Sequence, residues 1–423
     1  MEIVLGALAL IFLAAMAIIG YVNNAFSLKD NLDRLRGRKS PPATQKDLER
    51  LKEDILEYFN HKFAVARDSA ETLVQQLPAD RTELLRKATE AQSQARYREA
   101  IDFLRQCEYP NMPAGERATL HLLMGNSYMY LGEAGSAEPE YAEALAAARQ
   151  AGDRDTEAAA VGNLGSVYLQ RGELEKAEKH YKQALEIDRE MGNRLGEATA
   201  LGNLGIVYFH RGDLAKAEAH HQQALEIDRE IGNRLGEANQ LGNLGIVYKD
   251  RGELEKAEEY HKQALEVHRE IGNRLGEAQA LGNLGIVYFH RGDLKKAEQY
   301  LKEALAIQRD IGDRLGEAKQ LGNLGIVYGQ RGDPGDVDKA EEHFRQALDI
   351  HREIGNRLGE ANQLGNLGLV FQDCGDMGKA RDHLQQAQAV YQEIGAGGEG
   401  PEIVRRALEA IAALERRQQE RGE

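Results

Sequence analysis

The chain has 423 residues and a formal net charge of −15. This acidic balance argues against nucleic acid as a partner, because phosphate binding requires clustered Lys and Arg. The two cysteines, Cys107 and Cys374, lie far apart in the sequence. Composition therefore predicts neither a disulfide framework nor a cysteine-rich metal site.

The first predicted element is a membrane-spanning helix. Residues 3–22 carry no charged side chain, and a helix of this length extends about 30 Å, the thickness of a bilayer core. A cleaved signal peptide normally begins with a cationic segment and has a shorter apolar core, whereas Glu2 is acidic. We therefore expect residues 1–23 to form a retained transmembrane anchor. A cleaved signal peptide is the alternative, and it would make the protein secreted or periplasmic.

Basic residues predict the orientation of this anchor. Residues 24–43 form a basic juxtamembrane linker, and no Lys or Arg precedes the span. Because cationic flanks stay on the cytoplasmic side, we expect a single-pass protein of the inner or plasma membrane with its N-terminus outside and all that follows in the cytoplasm. The basic residues are Lys29, Arg34, Arg36, Arg38 and Lys39.

The next predicted element is an amphipathic helix. Apolar side chains recur at roughly helical spacing from Leu48 to Leu77. We expect a helix over residues 44–78 that pairs with a copy of itself or lies on the first repeat. Its most regular stretch is too short to establish a coiled coil.

A repeated string dominates the rest of the chain. Gly-Asn-Leu-Gly-Ile-Val-Tyr occurs four times at a spacing of 40 residues, and three extra residues enter a later repeat at Pro334-Gly335-Asp336. A fixed period of this length is typical of solenoids, whose stacked repeats bury one continuous core. We expect an all-α solenoid over residues 83–399, with about eight repeats of which the first is degenerate. Residues 401–423 are expected to form a capping helix and tail. The four copies occupy residues 202–208, 242–248, 282–288 and 322–328.

Each repeat is predicted to contain two helices, helix A and helix B. In residues 237–276 the apolar pattern predicts helix A over Glu237–Lys249 and helix B over Leu254–Ile271. Gly252 lies in the turn between them and Gly272 follows helix B, and both positions suit a left-handed backbone. Tyr260 is expected to face inward.

This pattern resembles the tetratricopeptide repeat, and the long repeats are most similar to those of kinesin light chains and Pins-type G-protein-signalling modulators. The resemblance implies a right-handed superhelical solenoid of helix-turn-helix repeats. In that family helix A lines the concave face and commonly binds an extended peptide. The residues that carry the resemblance are Leu244, Gly245, Tyr248, Gly252, Ala257, Tyr260 and Ala264.

The resemblance places one Asn of each repeat on the concave face. An Asn side chain both donates and accepts hydrogen bonds, so a ladder of them can pair with the backbone of an extended peptide. The alternative is that the Asn side chains bond to one another between neighbouring repeats and serve only the fold. The predicted peptide-binding residues are Asn163, Asn203, Asn243, Asn283, Asn323 and Asn366.

A second ladder consists of Arg at the repeat junctions. Each Arg precedes a Glu by three residues, so we expect ion pairing within the helix. Binding of an acidic ligand, which Arg contacts in a bidentate manner, is the alternative. These residues are Arg194, Arg234, Arg274, Arg314 and Arg357.

No motif predicts catalysis. His220 and His221 are adjacent but lack ligands at metal-site spacing. The Arg-Gly-Asp tripeptides at 211–213, 291–293 and 331–333 are expected to fill the turn between helices A and B, which requires Gly. No Ser/His/Asp or Cys/His set stands out. We therefore expect no enzyme activity, no metal and no cofactor.

The leading functional hypothesis is a membrane-anchored scaffold whose concave groove binds peptide segments of other proteins. The alternative is a self-assembling structural protein, in which the partner is a second copy, or a non-catalytic subunit of a membrane-associated complex.

Overall fold

The computed structural model describes residues 79–333 and 335–421. The predicted anchor, juxtamembrane linker and amphipathic helix, residues 1–78, lie outside the described residues. Within these described ranges, no helix combines the length and hydropathy that crossing a bilayer requires.

The described residues form seventeen α-helices and no β-strand, as the all-α prediction requires. They divide into two compact units: the N-terminal body ends at Asn273 and the C-terminal body begins at Arg274. The helices of the N-terminal body are α1 (Ala79–Ser93), α2 (Tyr97–Cys107), α3 (Ala114–Tyr130), α4 (Ala134–Ala151), α5 (Arg154–Gln170), α6 (Leu174–Met191), α7 (Arg194–His210), α8 (Leu214–Glu230), α9 (Arg234–Asp250) and α10 (Leu254–Glu270). Those of the C-terminal body are α11 (Arg274–His290), α12 (Leu294–Asp310), α13 (Arg314–Arg331), α14 (Asp336–Glu353), α15 (Arg357–Asp373), α16 (Met377–Glu393) and α17 (Glu399–Arg421).

Odd-numbered helices up to α15 are the A helices and even-numbered ones the B helices, and α17 follows the last pair. The turn glycines have the predicted left-handed backbone, with φ of +78° at Gly252 and +68° at Gly272. Helix A of this repeat begins at Arg234, not at Glu237 as predicted, because the side chain of Asn233 accepts a hydrogen bond from the Gly236 amide and caps the helix there.

The two helices of a repeat meet where a glycine on helix A faces a large side chain on helix B. A Cβ added to Gly245 would lie 2.6 Å from Cε1 of His261, which is buried. The prediction that Tyr260 faces inward is wrong. One residue corresponds to about 100° around a helix, so Tyr260 lies half-buried at the edge and stacks on Tyr248 with 5.1 Å between ring centroids. Residues equivalent to His261 are Tyr141, Tyr181, His221, Leu301, Phe344 and Leu384.

Successive repeats are joined by an ionic clasp, a Glu on one helix B bound by a Tyr and an Arg at the end of the next helix A. Glu298 accepts hydrogen bonds from Tyr328 (2.8 Å) and Arg331 (2.6 Å). Burial opposes ionisation of Glu298, but hydrogen bonds from Lys302, Tyr328 and Arg331 outweigh it and lower the pKa of this carboxyl to about 2. In the N-terminal body the same clasp joins Glu178 to Tyr208 and Arg211, and Glu218 to Tyr248 and Arg251.

The three-residue insertion falls at the connection between helix A and helix B of its repeat. Gly335 has a φ of +82° and directly precedes α14. Asp336, the first residue of α14, is buried and accepts two hydrogen bonds from Arg331 at 2.6 and 2.8 Å. Insertions are tolerated in such connections because the neighbouring helices keep their packing.

Candidate functional site

From α5 to α15, each helix A presents one stripe of half-buried and exposed side chains. In α7 the stripe contains Thr199, which is exposed, and Asn203 and Ile206, which are half-buried. These residues are four and three positions apart, so they lie on one face of the helix. We call the Asn203 position of every repeat the amide position and the Ile206 position the aliphatic position.

Stripes of neighbouring repeats lie side by side because the A helices approach closely through glycine. Within the N-terminal body, α7 contacts both α5 and α9. A Cβ on Gly202 would lie 2.8 Å from Nε2 of Gln240 on α9. Within the C-terminal body, Gly282 and Gly322 face Gln320 and Gln363 in the same way. The amide positions of each body therefore form a row.

The six predicted Asn residues all occupy amide positions and are all half-buried, but their hydrogen bonding differs. Nδ2 of Asn163 donates to Oδ1 of Asn126 on α3 at 3.0 Å, as the structural alternative predicts for the whole ladder. Nδ2 of Asn366 lies 3.5 Å from Oε1 of Gln363. Among the described residues, the other four side chains make no hydrogen bond to another residue. They are Asn203 and Asn243 in the N-terminal body, and Asn283 and Asn323 in the C-terminal body.

The first repeats of the N-terminal body have a polar stripe whose members bond to one another. Asn126 and Ser166 occupy the aliphatic position there, and both receive a tyrosine from helix B. The hydroxyl of Tyr141 donates to Oδ1 of Asn126 at 2.8 Å, and the hydroxyl of Tyr181 lies 3.0 Å from that of Ser166. Burial raises the pKa of Tyr181 to about 12, so its hydroxyl stays neutral. This closed cluster explains why Asn163 has a partner.

The last helix of the C-terminal body, α17, carries an apolar stripe. A Cβ on Gly365 would lie 3.3 Å from Cγ2 of Val404, so α17 packs on α15 as a further helix A would. Its stripe carries Ile403 and Leu414, which are 40% and 43% exposed. The sequence predicted a capping helix here from its apolar pattern, which includes Ile403 and Leu414, but did not predict that these two side chains are exposed.

The junction Arg residues are engaged by the fold, which confirms the ion-pairing prediction. Glu237 is buried and receives both Arg229, at 2.8 Å, and Arg234. Arg234 also contacts Glu270, near the end of α10. The guanidinium of Arg234 therefore bridges two helices of the fold. The equivalent pairs are Arg194–Glu197, Arg274–Glu277, Arg314–Glu317 and Arg357–Glu360.

A buried polar group lies behind the stripe in the N-terminal body. Nδ1 of His221 is 2.9 Å from Oε1 of Gln240, and burial lowers the pKa of His221 to about 4, so the imidazole is neutral near pH 7. Asn233 donates to Oδ1 of Asp228 at 2.6 Å. Oδ2 of Asp228 has no hydrogen-bond partner among the described residues. Burial raises the pKa of this carboxyl to about 6, although the bond from Asn233 opposes the shift.

Two further motifs of the sequence are the histidines and the Arg-Gly-Asp tripeptides. In residues 79–333 and 335–421 no three His, Cys, Asp or Glu side chains are grouped as a metal site would require. The Gly of each Arg-Gly-Asp tripeptide lies between helices with a left-handed backbone, at φ of +77°, +78° and +66° for Gly212, Gly292 and Gly332.

Comparison with solved structures finds the same fold in proteins of low identity. A Rap protein complexed with competence and sporulation factor is 19% identical, with a TM-score of 0.53 over 84% of this chain and 99% of that one. Aspartyl phosphate phosphatase F from Bacillus subtilis is 16% identical, with a TM-score of 0.56 over 83% and 95%. A signal transduction ATPase with numerous domains and a tetratricopeptide repeat sensor, from Pyrococcus horikoshii, is 18% identical, with a TM-score of 0.56 over 79% and 55%.

Comparison with curated proteins found no match. The finer likeness to kinesin light chains and Pins-type modulators remains a prediction. The sequence profile of the tetratricopeptide repeat matches residues 116–190, 196–270, 276–336 and 334–393, which is more than half of the chain. This protein therefore belongs to the tetratricopeptide repeat family.

Proposed function

We propose that this protein is a scaffold that binds extended peptide segments of partner proteins along the amide positions of its A helices. The observation that carries the proposal is the set of four half-buried Asn side chains without a hydrogen-bond partner among the described residues. Polar groups that a ligand buries are normally hydrogen-bonded, and these four carboxamides have both donors and acceptors free to bond one. A row of unbonded carboxamides matches a peptide backbone, which offers one donor and one acceptor per residue.

The charges around the stripe favour a backbone ligand over a charged one. Lys249, which ends the stripe of α9, pairs with Asp250 at 2.7 Å, and the junction Arg residues are held by Glu. Recognition by the stripe therefore depends on amide hydrogen bonds and apolar contact. The Rap protein of similar fold holds the competence and sporulation factor, so this architecture can hold a binding partner. We assign no catalytic role to any residue.

We expect replacement of Asn203 and Asn243, which both lie in the N-terminal body, by Ala to weaken partner binding to that body about tenfold. Each net hydrogen bond contributes about 0.5–1.5 kcal/mol, and two are lost. Partners would be captured on the full chain and their recovery measured over a range of bait concentrations. Asn163→Ala is the matched control, because its amide is already bonded to Asn126, and it should leave recovery within twofold. Unchanged recovery with the double variant would contradict the proposal.

We further propose that residues 3–22 hold the scaffold in the inner or plasma membrane, with the repeats in the cytoplasm. The support is the uncharged apolar run followed by basic residues. The full chain should remain in the membrane pellet after an alkaline carbonate wash, and a chain lacking residues 2–23 should be soluble. External protease added to intact cells should leave the repeats uncut. Recovery of the full chain in the wash, or digestion of its repeats, would sink this part of the proposal.

A second candidate function is self-assembly. The observation in its favour is the exposed apolar pair Ile403 and Leu414 on α17, since exposed aliphatic patches often mark protein contacts. A concentration-dependent increase in mass by light scattering, abolished by Ile403→Ser with Leu414→Ser, would support it. A constant monomer mass would exclude it.

A further inference from the structure

The C-terminal body pairs each amide position with a large aliphatic side chain. Ile286, Ile326 and Leu369 stand three residues after Asn283, Asn323 and Asn366 on the same helical face. Ile326 is 40% exposed and the other two are half-buried. In the N-terminal body the same position is interrupted by Asn126 and Ser166, which bond to tyrosines. All three A helices of the C-terminal body, α11, α13 and α15, therefore carry an aliphatic side chain at this position, whereas α3 and α5 of the N-terminal body do not.

The spacing of this aliphatic row follows from helix packing. The A helices meet through glycine, as a Cβ on Gly322 would lie 3.1 Å from Nε2 of Gln363. Packed helices have axes about 8–10 Å apart, so successive aliphatic side chains are offset by about that distance. A ligand that uses all of them must present like side chains on one face at the same interval.

Extended backbones differ in the interval they offer. In a β-strand, side chains on one face recur every two residues, or about 6.6–6.8 Å, which is shorter than the row requires. A polyproline II helix has three residues per turn and about 3.1 Å per residue, so every third side chain recurs at about 9.3 Å on one face. Its backbone makes no internal hydrogen bonds, so its amides remain available to Asn283 and Asn323.

We propose that the aliphatic row of the C-terminal body binds a polyproline II segment with an aliphatic side chain at every third residue. This inference rests on the proposed function and defines the class of peptide that the stripe selects. The Asn side chains bond the ligand backbone, and Ile286, Ile326 and Leu369 contact its aliphatic side chains in turn.

Selection from a random twelve-residue phage-displayed peptide library on the purified full chain tests the inference. Clones that also bind an Asn283→Ala, Asn323→Ala variant are removed. The expected result is enrichment of aliphatic residues at positions i, i+3 and i+6, with proline between them. Enrichment at i, i+2 and i+4, or no periodicity, would overturn the inference while supporting peptide binding. Failure to obtain any clone dependent on the Asn residues would overturn both the inference and the proposed function.

A synthetic peptide of the selected consensus then tests the residues. Ile326→Ala in the full chain should raise the Kd for this peptide, measured by fluorescence anisotropy, about tenfold. Ile354→Ala is the matched control, because Ile354 is also 40% exposed and in the same body but lies at the end of helix B, outside the row. An equal effect of the two substitutions, or no effect of Ile326→Ala, would refute the assignment.

Discussion

Gly245→Ala is expected to destabilise the N-terminal body by about 1–3 kcal/mol, the usual cost of overpacking a core. The added methyl group would lie 2.6–2.7 Å from three atoms of the His261 ring. His261 is buried, and a rigid ring cannot bend away as a flexible chain end can. The clash must therefore push α9 and α10 apart. Hydrogen exchange of the α9 and α10 amides in the full chain would measure the loss as faster local opening.

Gly242→Ala, three residues earlier on the same helix, is expected to have the opposite effect. A Cβ at Gly242 meets no described atom within 4 Å beyond its own helix backbone. Alanine is favoured over glycine inside helices by about 0.5–1 kcal/mol, so the α9 amides should exchange more slowly. If both substitutions change exchange in the same direction, the close approach of Gly245 to His261 is not what sets the packing of this repeat.

Asp228→Asn is expected to stabilise the N-terminal body by about 1–2 kcal/mol at pH 7.5 and to give no gain at pH 4. The pKa of Asp228 is raised to about 6 in the folded protein, whereas an Asp in an unfolded chain titrates near pH 4, about the reference value. The folded state thus binds the proton more tightly. The associated stability is complete below about pH 4 and is lost as pH rises through 6. Asn removes the buried charge and its desolvation penalty at neutral pH.

Hydrogen exchange of the α8 and α9 amides at the two pH values measures this difference. Asp102→Asn is the control, because Asp102 is exposed on α2. This substitution should leave the exchange rates of the parent unchanged at both pH values. Variant and parent must be compared at each pH, because other groups also change the stability of the parent. Burial opposes ionisation of Glu178, but hydrogen bonds from Lys182, Tyr208 and Arg211 outweigh it and lower the pKa of this carboxyl to about 2. The stability that Glu178 contributes is therefore lost as pH falls below about 4. A variant less stable than the parent at pH 7.5 would show that the carboxylate has a compensating partner.

The sequence was sufficient to predict the helical repeat because its signals are local. Gly252 and Gly272 lie in turns with a left-handed backbone. Apolar residues at spacings of three and four predict the helices between these turns. The start of helix A was missed because an Asn after Gly can end one helix or begin the next. The structure shows that Asn233 caps α9, since its side chain accepts a hydrogen bond from the Gly236 amide three residues later.

The candidate site was predictable only as a set of positions. Six Asn residues share one place in the repeat. The repeat of Asn163 carries Ser166 where that of Asn203 carries Ile206, but Ser166 contacts Tyr181 and does not explain the bond of Asn163. The difference comes from the preceding repeat, where Asn126 stands in place of the later Ile and supplies an acceptor. Alignment of each repeat with its neighbour, rather than with a consensus, would have revealed it. The same alignment predicts that His261 is a packing residue, because Tyr181, Leu301 and Phe344 occupy the equivalent position in other repeats.

The clasp between repeats also bears on how such a gene can change. Deletion of residues 197–236 would join Gly196 to Glu237 and place Glu178 opposite Tyr248 and Arg251, the partners that now hold Glu218. An in-frame recombination between two copies of the repeat thus regenerates a matched joint at the crossover. Shorter or longer descendants could arise in one genetic step, each with a correspondingly shorter or longer run of carboxamides.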